Sequence, residues 1–331
     1  VDNILDIKQV KKISSSAKHC AFTDLINNPF SMSSLQFLCC YREAEDHVSM
    51  DGVIRIQKLT QSLSVIGNIT LKMTNTDLRD PKFVFNGERL IVTAYAKSKF
   101  TDKPGLNIRM VSFYSDNGDD WNEPVVFSQS DYWIWRSTWH KNTAYGFGYK
   151  RADEQLNIYR GDPTSKMTLL AAEVLSLDKH EAGYPNESHI LFDSTDNANA
   201  IVRRDADSYS AKLGFSKPPY TDWHWKDLGI YIGGPAMTVL AANFFLVAGR
   251  DWDEKDDDKL TTKIWLLDTK VPSLTEMLTL PSAGDNSYPG LCVVKDTAYL
   301  SYYSSHEDDQ TSVYCAEICG LDALLDVIEQ T

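Results

Sequence analysis

Arg79-Asp80-Pro81-Lys82-Phe83-Val84-Phe85-Asn86-Gly87-Glu88-Arg89-Leu90-Ile91-Val92-Thr93-Ala94 reads as two apolar strands, Pro81 to Phe85 and Leu90 to Ala94, joined by a tight turn. Asn-Gly between two apolar runs supplies the positive φ angles of a short hairpin, so the pairing is antiparallel and local. A third strand, Leu106 to Phe113, follows. The same unit returns from Arg136 (Ala144 to Tyr149, Leu156 to Tyr159) and from Glu187 (His189 to Phe192, Ala198 to Val202, Ala211 to Phe215). It returns again near Pro235 (Phe244 to Ala248, Lys263 to Leu267) and from Tyr288 (Leu291 to Val294, Ala298 to Tyr302, Ser312 to Ile318). An earlier copy shows in Phe37 to Tyr41 and Val53 to Leu59, with its first strand between Cys20 and Leu35.

The five clear starts lie 48 to 57 residues apart. Short strands at a period near 50 are the mark of a radially repeated sheet, and long 3.6-period stretches are absent. The reading is an all-β, six-bladed β-propeller, with five blades as the alternative and an irregular β-sandwich as the competing architecture. Residues 1–331 then form one domain, closed by a short helix at Leu321 to Ile328.

Composition narrows the partners. A net charge of −13 argues against a nucleic-acid groove, which needs a basic footprint, and makes any cluster of arginines informative. No apolar run approaches the ~18 residues of a membrane span. Val1 to Lys12 are polar and mixed, so no signal peptide is read; with a leader removed the chain would be secreted or periplasmic, and otherwise cytoplasmic. The six cysteines have no metal-ligand spacing and read as free buried thiols, with Cys292 and Cys315 as candidate neighbours. Asp251 to Asp258 is rich in carboxylates but lacks the regular spacing of a calcium loop, so a solvated acidic loop is expected there. No metal site or cofactor is expected, and a structural calcium ion is not indicated.

In a propeller blade the first strand lines the axis and the second runs back beside it. The start of strand one and the end of strand two therefore share a face. Strand-one starts are Arg79, Arg136, Glu187, Pro235 and Tyr288; strand-two ends are Arg42 with Glu43, Tyr95, Tyr149, Arg203 with Arg204, Arg250, and Ser304 to His306. Arginine dominates this rim, and its planar fork suits a carboxylate or phosphate. The opposing reading is that each arginine pairs internally, with Asp80, Glu43, Asp205 or Asp251.

These residues resemble the sialidase superfamily. Arg79-Asp80-Pro81 stands where sialidases carry Arg-Ile-Pro, and Asp102 lies 23 residues later, where they carry a loop acid. Glu187 and Arg203, 16 residues apart, then Arg250 and Tyr288, complete the order Arg, Asp, Glu, Arg, Arg, Tyr. Asp116-Asn117-Gly118-Asp119-Asp120-Trp121 matches Asp-x-Gly-x-x-Trp, the core of the Asp-box (BNR repeat) of sialidase-type propellers, with Tyr114 where that motif has Ser. The motif implies a β-turn shaped by its Asp and Gly, with the Trp packed between blades. Ile232-Gly233-Gly234-Pro235 and Ser287-Tyr288-Pro289-Gly290-Leu291 are also similar to bacterial sialidase-like proteins. The departures are Asp80 for Ile, the Pro-Gly-Leu after Tyr288, a single readable Asp-box, and the additional Arg42, His47, Arg136 and His140.

The resemblance implies a retaining glycoside hydrolase acting on an acidic sugar, sialic or uronic, within an anionic glycan. Arg79, Arg203 and Arg250 would clamp the substrate carboxylate, Tyr288 would be the nucleophile, Glu187 its base and Asp102 the acid. Arg42, Arg136, Arg204, His140 and His306 are further substrate-binding candidates. Of Trp133, Trp135, Trp139, Trp223 and Trp225, most are expected to pack between blades. A propeller polysaccharide lyase, using Tyr288 with His140 or His306, and a non-catalytic glycan- or protein-binding propeller are the alternatives.

Overall fold

Six antiparallel sheets of four strands each, among the described residues, succeed one another around an axis. The coordinates are a computed structural model that describes residues 4–30, 34–128, 131–253 and 256–330. The first strand, β1 (Asp6–Lys12), belongs to the last sheet. Blade 1 comprises β2 (His19–Asn27), β3 (Phe37–Ala44), β4 (Val53–Leu59) and β5 (Val65–Leu71). Blade 2 comprises β6 (Thr76–Phe85), β7 (Leu90–Lys99), β8 (Leu106–Ser115) and β9 (Val125–Ser128). Blade 3 comprises β10 (Trp133–His140), β11 (Thr143–Lys150), β12 (Gln155–Asp162) and β13 (Lys166–Ser176), and the one-turn α1 (Leu177–His180) leads out of it. Blade 4 comprises β14 (Pro185–Phe192), β15 (Ala198–Arg204), β16 (Lys212–Ser216) and β17 (His224–Asp227). Blade 5 comprises β18 (Gly233–Ala241), β19 (Phe244–Asp253), β20 (Asp256–Asp268) and β21 (Ser273–Thr279). Blade 6 comprises β22 (Ser287–Val294), β23 (Thr297–Ser304), β24 (Ser312–Cys319) and, as its outer strand, β1. The chain is a six-bladed β-propeller.

The seam is closed by strand pairing: β1 runs antiparallel to β24 from Asp6↔Cys319 to Lys12↔Tyr314, and Lys8 and Gln9 both donate to Glu317 across it. The helix α2 (Leu321–Glu329) then folds under the seam, burying Leu321, Leu324 and Ile328 at helical spacing against the apolar contact of blades 5 and 6.

Apolar side chains form one cluster at each blade contact. Leu38, Cys40 and Ile56 of blade 1 meet Leu78, Val92 and Ala94 of blade 2. Phe147 and Ile158 meet Ile190 and Ala200 between blades 3 and 4. Ile201 and Leu213 meet Met237 and Val247 between blades 4 and 5. A sheet between two neighbours must be apolar on both faces, which explains why the inner strands read as near-continuous apolar runs. At the tightest approach, a Cβ on Gly290 of β22 would lie 1.9 Å from the Leu25 nitrogen of β2, so blade 6 reaches blade 1 only without a side chain there.

The cysteines are free, with Cys20, Cys39, Cys40 and Cys315 buried. The loop at 116–121 is a turn after β8, but its acceptors are Ser115 Oγ, which takes the Gly118 N–H at 2.8 Å, and Asn117 Oδ1, which takes those of Asp119 and Asp120. The Asp116 carboxylate, expected to shape the turn, instead faces Arg89 at 2.8 Å. Trp121 packs on the cluster between blades 1 and 2.

Candidate active site

Every inner strand carries the same irregularity near its start. Two residues on the inner strand oppose one on its partner: Phe22-Thr23 opposite Tyr41, Asp80-Pro81 opposite Ala94, Trp135-Arg136 opposite Phe147, Asn186-Glu187 opposite Arg203, Gly234-Pro235 opposite Gly249, and Tyr288-Pro289 opposite Tyr302. These are β-bulges, which bend the strand and re-aim one side chain. Pro81, Pro235 and Pro289 sit in the unpaired position, where a missing N–H does no harm. The first bulge residue has φ +61° at Phe22, +46° at Asp80, +62° at Gly234 and +43° at Tyr288. Left-handed backbone at three non-glycine residues is strained, and such strain collects at functional sites. Six bulges therefore turn Phe22, Asp80, Trp135, Glu187 and Tyr288 toward one rim.

Tyr288 donates its hydroxyl to Glu187 Oε1 at 2.5 Å. Arg203 Nη1 donates to Glu187 Oε2 at 2.7 Å and to the Tyr288 oxygen at 2.9 Å. Glu187 Oε2 also accepts the Gly234 N–H at 3.0 Å, and Asp205 holds the far side of Arg203 at 3.0 Å. The Tyr288 ring is wedged against Phe22, Trp135 and Tyr303, with centroids 5.4 to 5.8 Å apart, and the Arg250 guanidinium lies 5.3 Å over its face. Burial pushes the Tyr288 hydroxyl well above the usual phenol value and the Glu187 charge adds to this, while Arg203 and Arg250 pull it back. Tyr288 is a neutral phenol at neutral pH with an acceptor for its proton already in place.

The contacts continue from Tyr288 around the rim. Arg250 Nη1 donates to Asp285 Oδ1 at 2.5 Å, Asp285 faces His47 Nδ1 at 3.1 Å, and the His47 carbonyl accepts from Arg79 Nη1 at 2.9 Å. Arg79 also touches Asp77 at 3.2 Å and lies over the Phe22 ring. Arg79, Arg203 and Arg250 are thus linked around Tyr288 and Glu187. Arg203 is fully engaged, whereas the Arg250 Nε is buried without a hydrogen-bond partner and Arg79 uses only Nη1. Unused guanidinium donors at a rim suit an incoming anion. Beside them a cleft of about 320 Å³ is walled by Tyr95, Trp133, Tyr149 and Tyr184, with Lys150 and Arg151.

The other candidates sit elsewhere. Arg42 is wholly buried and is used by Asp77 (2.8 Å) and by the carbonyls of Asp46 and Ser49. Arg136 points down the axis to Asp24 (2.8 Å) and the Pro289 carbonyl. Arg204 turns to the opposite sheet face from Arg203 and pairs with Asp207. His140 ends β10, a strand's length from the rim, stacked on Phe192 at 4.1 Å and facing Asp196 at 3.2 Å. His306 is tied to Ser304 and packs on Tyr314. These five do not join the Tyr288–Glu187–Arg203 contact: Arg42, Arg136 and Arg204 are held by Asp77, Asp24 and Asp207, His140 faces Asp196 and His306 meets Ser304. Asp102 lies exposed on the loop between β7 and β8. The acidic run Asp251 to Asp258 lies in part outside the described residues; among the described residues, no group of three or more His, Cys, Asp and Glu side chains could hold a metal ion.

The expected internal partners also change. Asp80 does not pair with Arg79; it is buried, accepts from Trp135 Nε1 at 3.1 Å, and burial raises its pKa against the pull of Lys82 and Arg79. Glu43 serves Arg55. Asp77, Asp285, Phe22 and Trp135 are site residues that the rim rule misses, since it samples only strand ends.

Two outcomes follow from this geometry. A methyl group on Gly234 would lie 2.5 Å from Tyr288 Cδ1, so Gly234→Ala is expected to displace the ring and lower stability by about 1–3 kcal/mol, read from urea midpoints. His19, buried between Phe22 and His47, has its pKa pushed down to about 4 by burial first and by Arg42 next. The unfolded imidazole takes its proton near 6.5, so stability is lost as pH falls from about 6.5 toward 4. Urea midpoints at pH 7 and pH 5 are expected to differ less in His19→Gln than in wild type.

No protein-family model and no curated protein sequence matches the chain. Solved structures do. A protein of unknown function from Dyadobacter fermentans is similar over 96% of this chain and 99% of its own, with a TM-score of 0.79 and 13% identity. Trypanosoma rangeli sialidase in complex with the inhibitor DANA is similar over 98% of this chain, with a TM-score of 0.66 and 10% identity. The same sialidase in complex with sialic acid gives 97%, 0.63 and 10%. The chain spans 60% of the length of the sialidase bound to DANA. At these identities the likeness is one of fold, and the fold is a sialidase-like propeller.

Proposed function

We propose that the chain is a glycoside hydrolase acting on an acidic, carboxylate-bearing sugar, with Tyr288 as nucleophile. The observation that carries this reading is the Tyr288 hydroxyl 2.5 Å from Glu187, with Arg203 bridging both. A carboxylate nucleophile would be repelled by the substrate's own carboxylate; a neutral phenol is not, but needs a base to take its proton. In the first step Glu187 accepts that proton as the Tyr288 oxygen bonds to the anomeric carbon. The bond to the leaving oxygen breaks and Asp102 protonates it. In the second step water attacks the anomeric carbon, Asp102 takes the water's proton, and the bond to Tyr288 breaks. The tyrosine oxygen then recovers its proton from Glu187. Arg79 and Arg250 offer their unused N–H groups to the substrate carboxylate, and the aromatic cleft beside them offers ring faces to a sugar.

Asp102 carries its own test. Asp102→Ala is expected to slow a substrate with a sugar leaving group by about 10²-fold or more, and one with an activated phenol leaving group far less. Equal loss on both removes it as the acid.

A second reading has support too. Arg79, Arg203 and Arg250 each face an internal carboxylate, as they would in a non-catalytic propeller that binds glycan through the same rim. The lyase reading has less support, since His140 faces Asp196 and His306 meets Ser304 rather than Tyr288. A fluorogenic panel of sialosides and uronides separates the first two. Cleavage of one member supports the hydrolase; binding of an acidic sugar without turnover of any member replaces it with the binding module.

A further inference from the structure

At the far end of blade 4 from Tyr288, a groove of about 530 Å³ opens toward blade 5. One wall is a cross-strand row, Asn199↔Phe215 and Phe215↔His224, which aligns three side chains on one face of β15, β16 and β17. The turn residues Asn243 and Thr269 of blade 5 stand opposite, and the loop carrying Lys217 and Asp222 overhangs it. The Asn199 residue is only 5% exposed, yet among the described residues its amide makes no hydrogen bond. Its two donors and one acceptor are free for a ligand to match. Here those atoms line a groove that a ligand can enter.

The lining states what kind of ligand. Lys217 is outnumbered by Asp193 and Asp222, and arginine is absent from the described lining, so the groove has none of the anion bias of the Tyr288 rim. Phe215 presents part of an aromatic ring between the Asn199 amide and the His224 imidazole. A ring face flanked by groups that both donate and accept matches a pyranose, whose C–H face is apolar and whose hydroxyls both donate and accept. The volume falls in the range of small-ligand sites.

We infer that this groove is a second carbohydrate site, selective for neutral sugars and separate from the acidic-sugar site on the other face. It does not depend on whether Tyr288 is catalytic. The test is calorimetric and saturation-transfer titration of the full chain with lactose, maltose and cellobiose. The expected result is saturable binding of at least one, with Kd in the millimolar range, weakened about tenfold or more by Asn199→Leu and unchanged in Tyr288→Phe. The exposed His224→Ala is expected to weaken it as well, and supplies a readout if Asn199→Leu fails to fold. Absence of saturable binding by any of the three sugars, or binding that is equal in wild type and both groove variants, overturns the assignment.

Discussion

Tyr288→Phe is expected to lower kcat on the cleaved acidic glycoside by about 10³-fold or more, with little change in thermal stability. The separation of the two effects follows from the packing. Phenylalanine keeps the ring contacts with Phe22, Trp135, Tyr303 and Arg250. Removing the hydroxyl leaves no charge stranded, because Glu187 still holds Arg203 at 2.7 Å and the Gly234 N–H at 3.0 Å. What is lost is the oxygen that attacks in the proposed mechanism. Steady-state kinetics beside a melting curve reads both halves of the prediction, and a variant that turns over normally would mean that Tyr288 forms no bond to substrate.

Arg42→Ala is expected to lower stability by about 3–5 kcal/mol. Arg42 and Asp77 are both wholly buried and 2.8 Å apart. Deleting the guanidinium leaves Asp77 desolvated with only Arg79, at 3.2 Å, to answer its charge, and orphans the Asp46 and Ser49 carbonyls as well. The double variant Arg42→Met with Asp77→Leu removes the stranded charge and is expected to recover much of the loss in a urea melt. If the single and double variants unfold alike, the pair is not what the region depends on.

The contrast between these two tyrosine and arginine positions marks how far the sequence can be read. Inner strands declare themselves, because each must be apolar on both faces, and Asn86-Gly87 fixes the β6–β7 hairpin. Outer strands do not. The strands β5, β13, β17 and β21 expose much of their length and pair through backbone groups common to all residues, and β1 looks like a polar leader until β24 is beside it. At the rim, the strand-end rule gathers Arg79, Glu187, Arg203, Arg250 and Tyr288. It also gathers Arg42, Arg136 and Arg204, because nothing local tells a side chain that faces the opening from one that faces the axis or the next blade. The acid partners show the same limit. Side chains alternate along a strand, so Asp80 and Asp251, each one residue after its arginine, point away. Asp77 and Asp205, each two residues from theirs, share the arginine's face and make the contact. The bulges left only their prolines as a trace, and a left-handed tyrosine leaves none.

The pairing of β1 with β24 has a consequence for the order of events in the cell. Its two partners are separated by about 300 residues, and drawing such ends together costs roughly 5 kcal/mol of chain entropy. Five blades can form in succession as the polypeptide leaves the ribosome, each from a local hairpin. The sixth has to wait, because its outer strand is made first and its inner strands last. Tyr288 belongs to that late blade, whereas Arg79, Glu187 and Arg203 belong to early ones. Throughout synthesis, then, the nascent chain carries a rim of arginines with no Tyr288 beside them. The contact of Tyr288 with Glu187 and Arg203 forms only when the ring shuts.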